Sequence, residues 1–251
     1  MRLPKYLLKR QLILIWNGSL VDEITFKLAD EAADAPTATA ILGPFFRADT
    51  PFRTNGENIV KTAPKEEDGV GEMAFMSGQV VDFISKTPLV GAVVEVWQAS
   101  RNGLYEQQDP DQEEFNLRGK FRTDEEGRYS FYCLRPTPYP VPDDGPAGKL
   151  LRMMDRHPFR PAHIHIIVCL AWNRAWALLI IPTFQATYDG YKPLTTQIFD
   201  RKDQYLTNDS VFAVKDTLVV DFVERKGDPQ AGLELNYDVK LVPDGSKTDG
   251  A

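Results

Sequence analysis

Apolar residues follow two different periods along the chain, a helical one near the start and a strand-like one farther on. The helical spacing predicts a helix over 20–33, and small residues at 33–40 predict a linker after it. The residues that share this helical face are Val21, Ile24, Leu28 and Ala32. The pattern therefore predicts one helical segment at the start of the chain.

From residue 76 onward, short β-branched and aromatic segments are separated by turn residues, which predicts strands. The predicted strands span 78–84, 92–97, 163–167, 194–199, 218–223 and 235–241. Segments 121–123 and 128–131 flank a turn and predict a hairpin with Gly127 at a positive φ. Since no helix is predicted between these strands, the sequence indicates a mainly β fold, a two-sheet β-sandwich with a short N-terminal helical linker segment.

Composition narrows the classes of partner. The net charge is -7 and no run of Lys or Arg occurs, which argues against nucleic acid and against an anionic membrane surface. Two cysteines are no disulfide framework and favour a reducing compartment. The apolar runs at 12–16 and 175–181 are too short for a signal peptide and a membrane span. We therefore expect a cytoplasmic protein with no nucleic-acid or membrane partner.

The histidines offer the clearest candidate chemistry, because the chain has only three. His163 and His165 lie two apart on a predicted strand, so their side chains point to the same face. This pair indicates a metal site, with zinc and copper still open as the metal. The alternative is a polar sheet face in which each histidine only makes hydrogen bonds.

Two tyrosines lie in the long, turn-rich connections 104–116 and 136–155, where loops on a rigid scaffold usually carry function. Tyr105 follows Asn102-Gly103, and Tyr139 lies between two prolines that restrict its backbone. A tyrosine in a loop is usually a packing residue. A phenol becomes a good ligand only when a bound cation stabilises its anion, so composition alone does not join these tyrosines to the histidines.

Motifs spread over about residues 40–245 resemble the intradiol ring-cleavage dioxygenases, in the catechol/hydroxyquinol 1,2-dioxygenase branch. The motifs that carry the resemblance are Gly78-Gln79-Val80-Val81-Asp82, Gly91 to Ala99, Asn102-Gly103-Leu104-Tyr105, Phe115 to Gly119, Thr123 to Phe131, Pro138 to Pro146, Arg156-His157, Arg160 to His165 and Leu194 to Ile198. Their order and spacing are those of the family.

The resemblance implies a non-haem Fe(3+) site and a role for each matching residue. The implied metal ligands are Tyr105, Tyr139, His163 and His165. Tyr139 matches the ligand that leaves when the substrate arrives and accepts its proton, while Arg160 and Gln197 stabilise the charged ring. His157 belongs to the same motif but is off phase with the ligands, so we interpret it as supporting structure.

The implied substrates are a catechol-type small molecule and O2. The residues that match the ring-binding segments are Leu42, Gly43, Pro44, Phe45 and Val211. Phe45 and Val211 favour hydroxyquinol, which would give maleylacetate, and plain catechol, giving cis,cis-muconate, is the alternative. Another class of function is a non-catalytic transthyretin-like β-sandwich, which does not account for the four candidate ligands together.

The sequence departs from the family at two places. Residues 168–185 have no family counterpart, and joining Ile167 to Ala186 restores the family spacing. Splice-site-like codons can encode both ends, so we interpret this insertion as a retained intron, with a genuine loop as the alternative and an inactive chain as one consequence. Residues 1–45 are predicted to be a truncated helical linker and dimerisation segment, and 46–245 the catalytic domain, so the expected homodimer could be weakened.

Overall fold

The computed structural model describes residues 35–69, 71–170 and 190–244. The helix predicted over 20–33 lies outside the described residues. Most of the predicted insertion lies outside them as well, since only residues 168–170 of it are described. No helix in the described part of the chain is long and apolar enough to cross a membrane.

Two β-sheets form the body of the described structure, which confirms the predicted sandwich class. The six-stranded sheet contains β1 (Glu57–Asn58), β2 (Met73–Asp82), β5 (Arg128–Leu134), β11 (Val223–Glu224), β12 (Leu233–Asn236) and β13 (Val239–Leu241). The strands of the five-stranded sheet are β3 (Val93–Trp97), β4 (Arg118–Arg122), β8 (His163–Cys169), β9 (Leu194–Asp200) and β10 (Val219–Val220). Their order across the sheet is β10-β9-β8-β3-β4.

Strand β2 organises the six-stranded sheet, because three other strands pair with it. It runs antiparallel to β5 and parallel to both β12 and β13. Alternate residues of β2 are buried along its whole length, as a strand with one face on the core requires. The apolar core between the two sheets includes Met76 and Val80 of β2 and Ile164 and Ile166 of β8.

The hairpin predicted across Gly127 is wrong, although its turn is present. Gly127 has the predicted positive φ of +71° and its N–H donates to the Asp124 carbonyl. Strand β4, however, pairs with β3, whereas β5 pairs with β2 in the other sheet. The turn therefore carries the chain from one sheet to the other, because local turn chemistry does not decide which strand pairs with which.

The expectation of no helix between strands is also wrong. A helix α1 (Pro146–Met153) lies within the predicted connection at 136–155. Pro146 is at the start of the helix, where a missing N–H costs nothing, and Ala147 and Leu151 bury its inner side. Gly148 packs so closely on the Asp143 carbonyl that a Cβ would overlap that oxygen. Close packing of a small residue therefore fixes this helix against the preceding loop.

Several strand limits differ from the predicted ones. The strand predicted over 163–167 continues to Cys169, two residues into the predicted insertion, and these residues pair with β3 and β9. The strands predicted over 218–223 and 235–241 are each divided in two. The first becomes β10, which pairs with β9, and β11, which pairs with β12. The second becomes β12 and β13, which a break at 237–238 separates.

A segment without helix or strand crosses the outer face of the five-stranded sheet. The Ala40 N–H donates to the Thr195 carbonyl on β9, and the Arg53 N–H donates to the Lys120 carbonyl on β4. Residues 40–53 therefore cover this face from one side to the other. A small two-stranded sheet of β6 (Tyr139–Pro140) and β7 (Phe159–Arg160) lies beside the larger sheets.

Candidate functional site

The outer face of the five-stranded sheet brings the candidate residues together. Side chains alternate along each strand, so residues at the same register form rows across the sheet. One row joins four strands and consists of Gln197, His165, Trp97 and Arg118. His163 lies on the same face one step along β8, opposite Phe199. The same-face prediction for the two histidines is therefore met.

The two histidines point their Nε2 atoms at one another across 3.2 Å. His163 Nδ1 lies 2.7 Å from the Pro161 carbonyl, which only accepts hydrogen bonds, so Nδ1 carries the proton and Nε2 is the acceptor nitrogen of this ring. Burial lowers the pKa of both imidazoles far below the usual value, and the Arg160 charge lowers both pKa values further. Both rings are therefore neutral, the form in which histidine binds a metal.

The His165 ring is held between two surfaces. The Trp97 indole stacks on it at a centroid distance of 4.7 Å and an interplanar angle of 7°. On the Gly43 side, a Cβ added to that glycine would lie 2.9 Å from His165 Cε1. Gly43 also has a φ of +77°, which favours glycine. The segment over the sheet therefore lies so close to the ring that any side chain at position 43 would force a shift.

Tyr105 lies in the loop after β3 and is almost fully buried, at 1% exposure. Its ring stacks on Phe45 at 4.5 Å and meets Tyr139 edge-on at 5.6 Å. The hydroxyl has no hydrogen-bond partner among the described residues. Burial, together with the neighbouring Tyr139, raises the pKa of Tyr105 well above its usual value. A phenolate at this position would therefore need a bound cation.

Tyr139 lies on β6 directly opposite Arg160 on β7. Its ring centroid is 5.3 Å from that of His163, so the rings of all four candidate ligands are neighbours. Gly103 has a φ of +77°, and a Cβ added to it would lie 3.1 Å from the Tyr139 Cβ. The two tyrosine loops are thus in direct contact, although the tyrosines lie 34 positions apart in sequence.

Arg160 is a buried cation with three partners. Its Nη2 donates to Gln197 Oε1 at 2.7 Å, its Nη1 is 3.1 Å from His163 Nε2, and its Nε is 3.3 Å from Asp209 Oδ1. Burial is the largest influence and lowers the pKa of this guanidinium, but the charge and hydrogen bond of Asp209, together with the nearby Tyr139 and Tyr105, outweigh it and the net shift is upward. Arg160 therefore stays charged inside the site. Gln197 also donates to the Ile41 carbonyl at 2.7 Å, which fixes its amide.

A cavity opens beside Tyr139 and Arg160, and apolar side chains form most of its wall. The lining residues are Ile41, Gly43, Pro44, Phe45, Tyr139, Val141, Pro142, Ala147, Arg160 and Val211. Four of the five residues predicted to border the ring are therefore at the cavity. The fifth, Leu42, packs against the cluster around Trp97 and Tyr105. Tyr105, unlike Tyr139, does not line the cavity.

The sequence did not identify several residues that shape the site. Val141, Pro142 and Ala147 form the cavity wall on the helix side, and the helical spacing of Ala147 and Leu151 is a signal that could have revealed it. Asp209 had no signal in sequence, since its pairing with Arg160 depends on the fold. His157 accepts a hydrogen bond from the Phe159 N–H and lies outside the ligand group, as predicted.

The four rings fit an iron(III) ion by their chemistry. The two histidine Nε2 atoms lie 3.2 Å apart, which is close enough for both nitrogens to bind one ion. The partnerless Tyr105 hydroxyl supplies an oxygen that a hard trivalent cation favours. Among the described residues, no cluster of three or more His, Cys, Asp or Glu side chains offers another metal site.

The known proteins to which this chain is similar are all dioxygenases of one kind. A family model described as Dioxygenase matches residues 41–243. An intradiol ring-cleavage dioxygenase, prcA of Aspergillus niger, is 45% identical over 89% of this chain and 64% of its own length. Catechol 1,2-dioxygenase of Candida albicans is 44% identical over 93% and 70%. Hydroxyquinol 1,2-dioxygenase of Rhizobium sp. is 41% identical over 87% and 64%.

Solved structures show the same similarity in three dimensions. Hydroxyquinol 1,2-dioxygenase from Pseudomonas putida has a TM-score of 0.72 and 33% identity, covering 93% of this chain and 75% of that one. Catechol 1,2-dioxygenase from Acinetobacter radioresistens has a TM-score of 0.73 and 27% identity, covering 94% and 72%. The chain spans 64% to 70% of the length of the three curated relatives.

Proposed function

The chain belongs to the intradiol ring-cleavage dioxygenases, and on this premise we propose that it opens catechol-type rings between the two hydroxyls with O2. The observation that carries the proposal is the convergence of two neutral histidines and two tyrosines beside an apolar cavity. The buried Tyr105 hydroxyl, which has no hydrogen-bond partner among the described residues, also favours a metal ligand over a packing residue at this position.

The residues that would hold the iron are Tyr105, Tyr139, His163 and His165. An Fe(3+) ion bound there would supply Lewis acidity toward the ring hydroxyls and a template for the substrate. The protein keeps both histidines in the neutral ligand form by burial. The Trp97 and Gly43 surfaces restrict the orientation of His165, so little reorganisation is needed when the metal binds.

The two tyrosines have different surroundings, which supports different roles. Tyr139 lines the cavity, so it is open to contact with an incoming ring. With Fe(3+) bound, Tyr139 would be a phenolate, and we assign its Oη as the acceptor of a proton from the substrate hydroxyl, which turns it into the neutral phenol. Tyr105 is packed under Phe45 and behind Tyr139, where it keeps its position throughout. This division agrees with the roles that the family resemblance implies for the two residues.

Arg160 and Gln197 act on the charge that the ring gains as it loses protons. Arg160 lines the cavity, and its cation is fixed by Asp209 and Gln197 before the substrate arrives. A preorganised charge in a water-poor site stabilises a developing anion more strongly than solvent does. The apolar wall helps further by excluding water around the ring.

Hydroxyquinol is the proposed substrate and catechol the second candidate. Phe45 and Val211 both line the cavity, and these are the residues whose identity favours hydroxyquinol. The apolar wall favours catechol, because it offers few partners for a third hydroxyl. A hydrophobic pocket discriminates by only about 10- to 200-fold for such differences, so we expect activity on both rings.

The test is reconstitution of the purified protein with ferric iron, followed by oxygen uptake with each ring. We expect a coloured protein, because ferric tyrosinate absorbs visible light, and ring-opened dicarboxylate products. A variant lacking residues 168–185 is the matched control for the insertion, because the proposed site residues all lie outside that segment. Both proteins remaining colourless and inactive after iron loading would overturn the proposed function.

A further inference from the structure

Arg118 is the least accessible cation described near the site, with 0% exposure. It lies on β4 in the same row as Trp97, on the outer face of the sheet. Nothing in the proposed reaction uses it, and it does not line the cavity. A buried guanidinium is costly to desolvate, so its contacts need a reason beyond general stability.

The contacts of Arg118 are with the loop that carries Tyr105. Its Nε lies 2.7 Å from both carboxylate oxygens of Glu106, and its Nη2 donates to Gln107 Oε1 at 3.2 Å. Glu106 and Gln107 directly follow Tyr105 in sequence. One arginine on a rigid strand therefore holds two consecutive residues of the ligand loop.

The cation also lies close to the Tyr105 ring, at 5.8 Å from the Arg118 Cζ to the ring centroid. Its Nη1 is buried and has no hydrogen-bond partner among the described residues. A fixed positive charge this near a buried phenol favours a negatively charged oxygen there. Arg118 thus orients the loop that carries Tyr105 and also places a positive charge near the Tyr105 ring.

A second arginine, the partly exposed Arg47, also contacts the Glu106 carboxylate. Arg47 Nη1 lies 3.4 Å from Glu106 Oε1, and its other partners are Asp49 and Glu114. Glu106 is only 3% exposed on its side chain, so it lies between a buried and a partly exposed arginine. Through Glu106, the loop that carries Tyr105 is therefore bound both to β4 and to the segment 40–53.

We propose that Arg118 is a positioning residue for Tyr105, which it holds toward the metal through Glu106 and Gln107. The inference rests on the proposed function, since it assumes that Tyr105 is a ligand. It adds to that function a residue that is not a ligand itself but that controls the position of a ligand and, through it, the affinity for iron. Residues that support metal ligands typically change metal affinity or activity by about 10- to 100-fold when they are replaced.

The experiment compares Arg118→Met, Arg118→Lys and Glu106→Gln with the wild-type full chain after ferric loading. We measure bound iron, the visible ferric-tyrosinate band, the thermal midpoint and the separate values of kcat and KM. Arg225→Met is the matched control, because Arg225 also pairs with two carboxylates, Asp228 and Glu234, but on the six-stranded sheet. It measures what losing an arginine network costs without any link to Tyr105.

We expect Arg118→Met to bind iron about 10- to 100-fold more weakly and to shift and weaken the visible band. Its kcat should fall more than its KM rises, because Tyr105 does not line the cavity. Arg118→Lys keeps the charge but not the fork, so it should lie between Arg118→Met and wild type. Arg225→Met should lower only the thermal midpoint.

The inference is overturned if folded Arg118→Met keeps the wild-type band and iron content, or if Arg225→Met shifts the band equally. If Arg118→Met does not fold, Glu106→Gln and Arg118→Lys decide, since each leaves most of the packing intact. A red, active wild type with unaffected variants removes this inference alone. A colourless wild type removes the proposed function, and this inference with it.

Discussion

The two faces of the five-stranded sheet are both buried but are built from opposite kinds of residue. On β8, Ile164 and Ile166 enter the apolar core, whereas His163 and His165 point outward into the site. All four are at most 2% exposed. The inner face is closed by the second sheet, and the outer face by the segment 40–53 and the ligand loops.

This difference shows that burial alone does not distinguish core from site. Apolar burial stabilises the fold in proportion to the area removed from water. Buried polar groups cost free energy unless they are satisfied, and the outer face retains a phenol and an indole N–H without partners among the described residues. We therefore expect substitutions on the inner face to change stability, and substitutions on the outer face to change metal binding and turnover.

The strongest expected effect is the loss of His165 on the outer face. His165→Gln keeps a polar side chain of similar size but removes the imidazole Nε2 that faces His163. We expect iron affinity and activity to fall by at least about 100-fold, while the iron-free protein still unfolds cooperatively. Iron content and oxygen uptake check this. Wild-type iron binding in this variant would show that His165 is only a packing residue.

Ile166 follows His165 on β8 and lies on the inner face, where we expect a loss of stability and not of metal binding. Ile166→Ala removes buried methyl groups between the sheets and should cost about 2–5 kcal/mol of unfolding free energy. The activity per iron-loaded, folded molecule should stay near the wild-type value. Urea unfolding and iron-normalised turnover test this contrast. A large loss of normalised activity at unchanged stability would remove the distinction between the faces.

Substitutions at two glycines distinguish the effect of contact with His165 from the effect of backbone strain. Gly43→Ala places a methyl 2.9 Å from His165 Cε1, whereas Gly56→Ala, at a similar positive φ of +82°, meets nothing within 4 Å. Both should lose stability through strain, by about 1 kcal/mol. Only Gly43→Ala should also weaken iron binding, by about tenfold. Equal effects of the two variants on iron would contradict a role for Gly43 in holding His165.

The smallest expected effect is a pH dependence at Glu95, a buried carboxyl on the outer face. Burial raises the pKa of Glu95 to about 8, even though Lys120 Nζ lies 3.8 Å away and opposes the shift. Between the ordinary value of 4.5 and about 8 the folded state keeps a proton that the unfolded state releases. Stability should therefore fall as pH rises through that range.

Glu95→Gln tests this slope, because glutamine resembles the protonated carboxyl. The thermal midpoint of the variant should decline less than that of wild type from pH 5 to pH 8. Glu224→Gln, on the exposed edge strand β11, is the control that leaves the slope unchanged. Parallel slopes in wild type and Glu95→Gln would place the titrating group elsewhere.

Sequence predicted the sandwich because alternation and turn residues are local signals. It placed His163 and His165 on one face for the same reason. It could not show that β4 and β5 belong to different sheets, since pairing depends on distant strands. The division of the strand predicted over 218–223 has the same cause, because β10 and β11 follow different partners.

The site was only partly predictable for a similar reason. The motifs identified the candidate ligands through family resemblance, and four of the five predicted ring-bordering residues line the cavity. Asp209 and Arg118 are ordinary charged residues in sequence. Their importance arises from burial beside Arg160 and Glu106, which only the folded chain creates. Helix α1 was missed although its apolar spacing was visible.

The pairing of β2 also has a consequence for how the molecule assembles. Its neighbours β12 and β13 come from far along the chain, as the Gln79 N–H bonded to Asp238 across 159 positions illustrates. Closing so large a loop costs entropy before any contact compensates it, so folding dominated by such pairings is slow. During synthesis, the backbone edge of β2 that pairs with β12 and β13 therefore stays unpaired until residues 233–241 have left the ribosome.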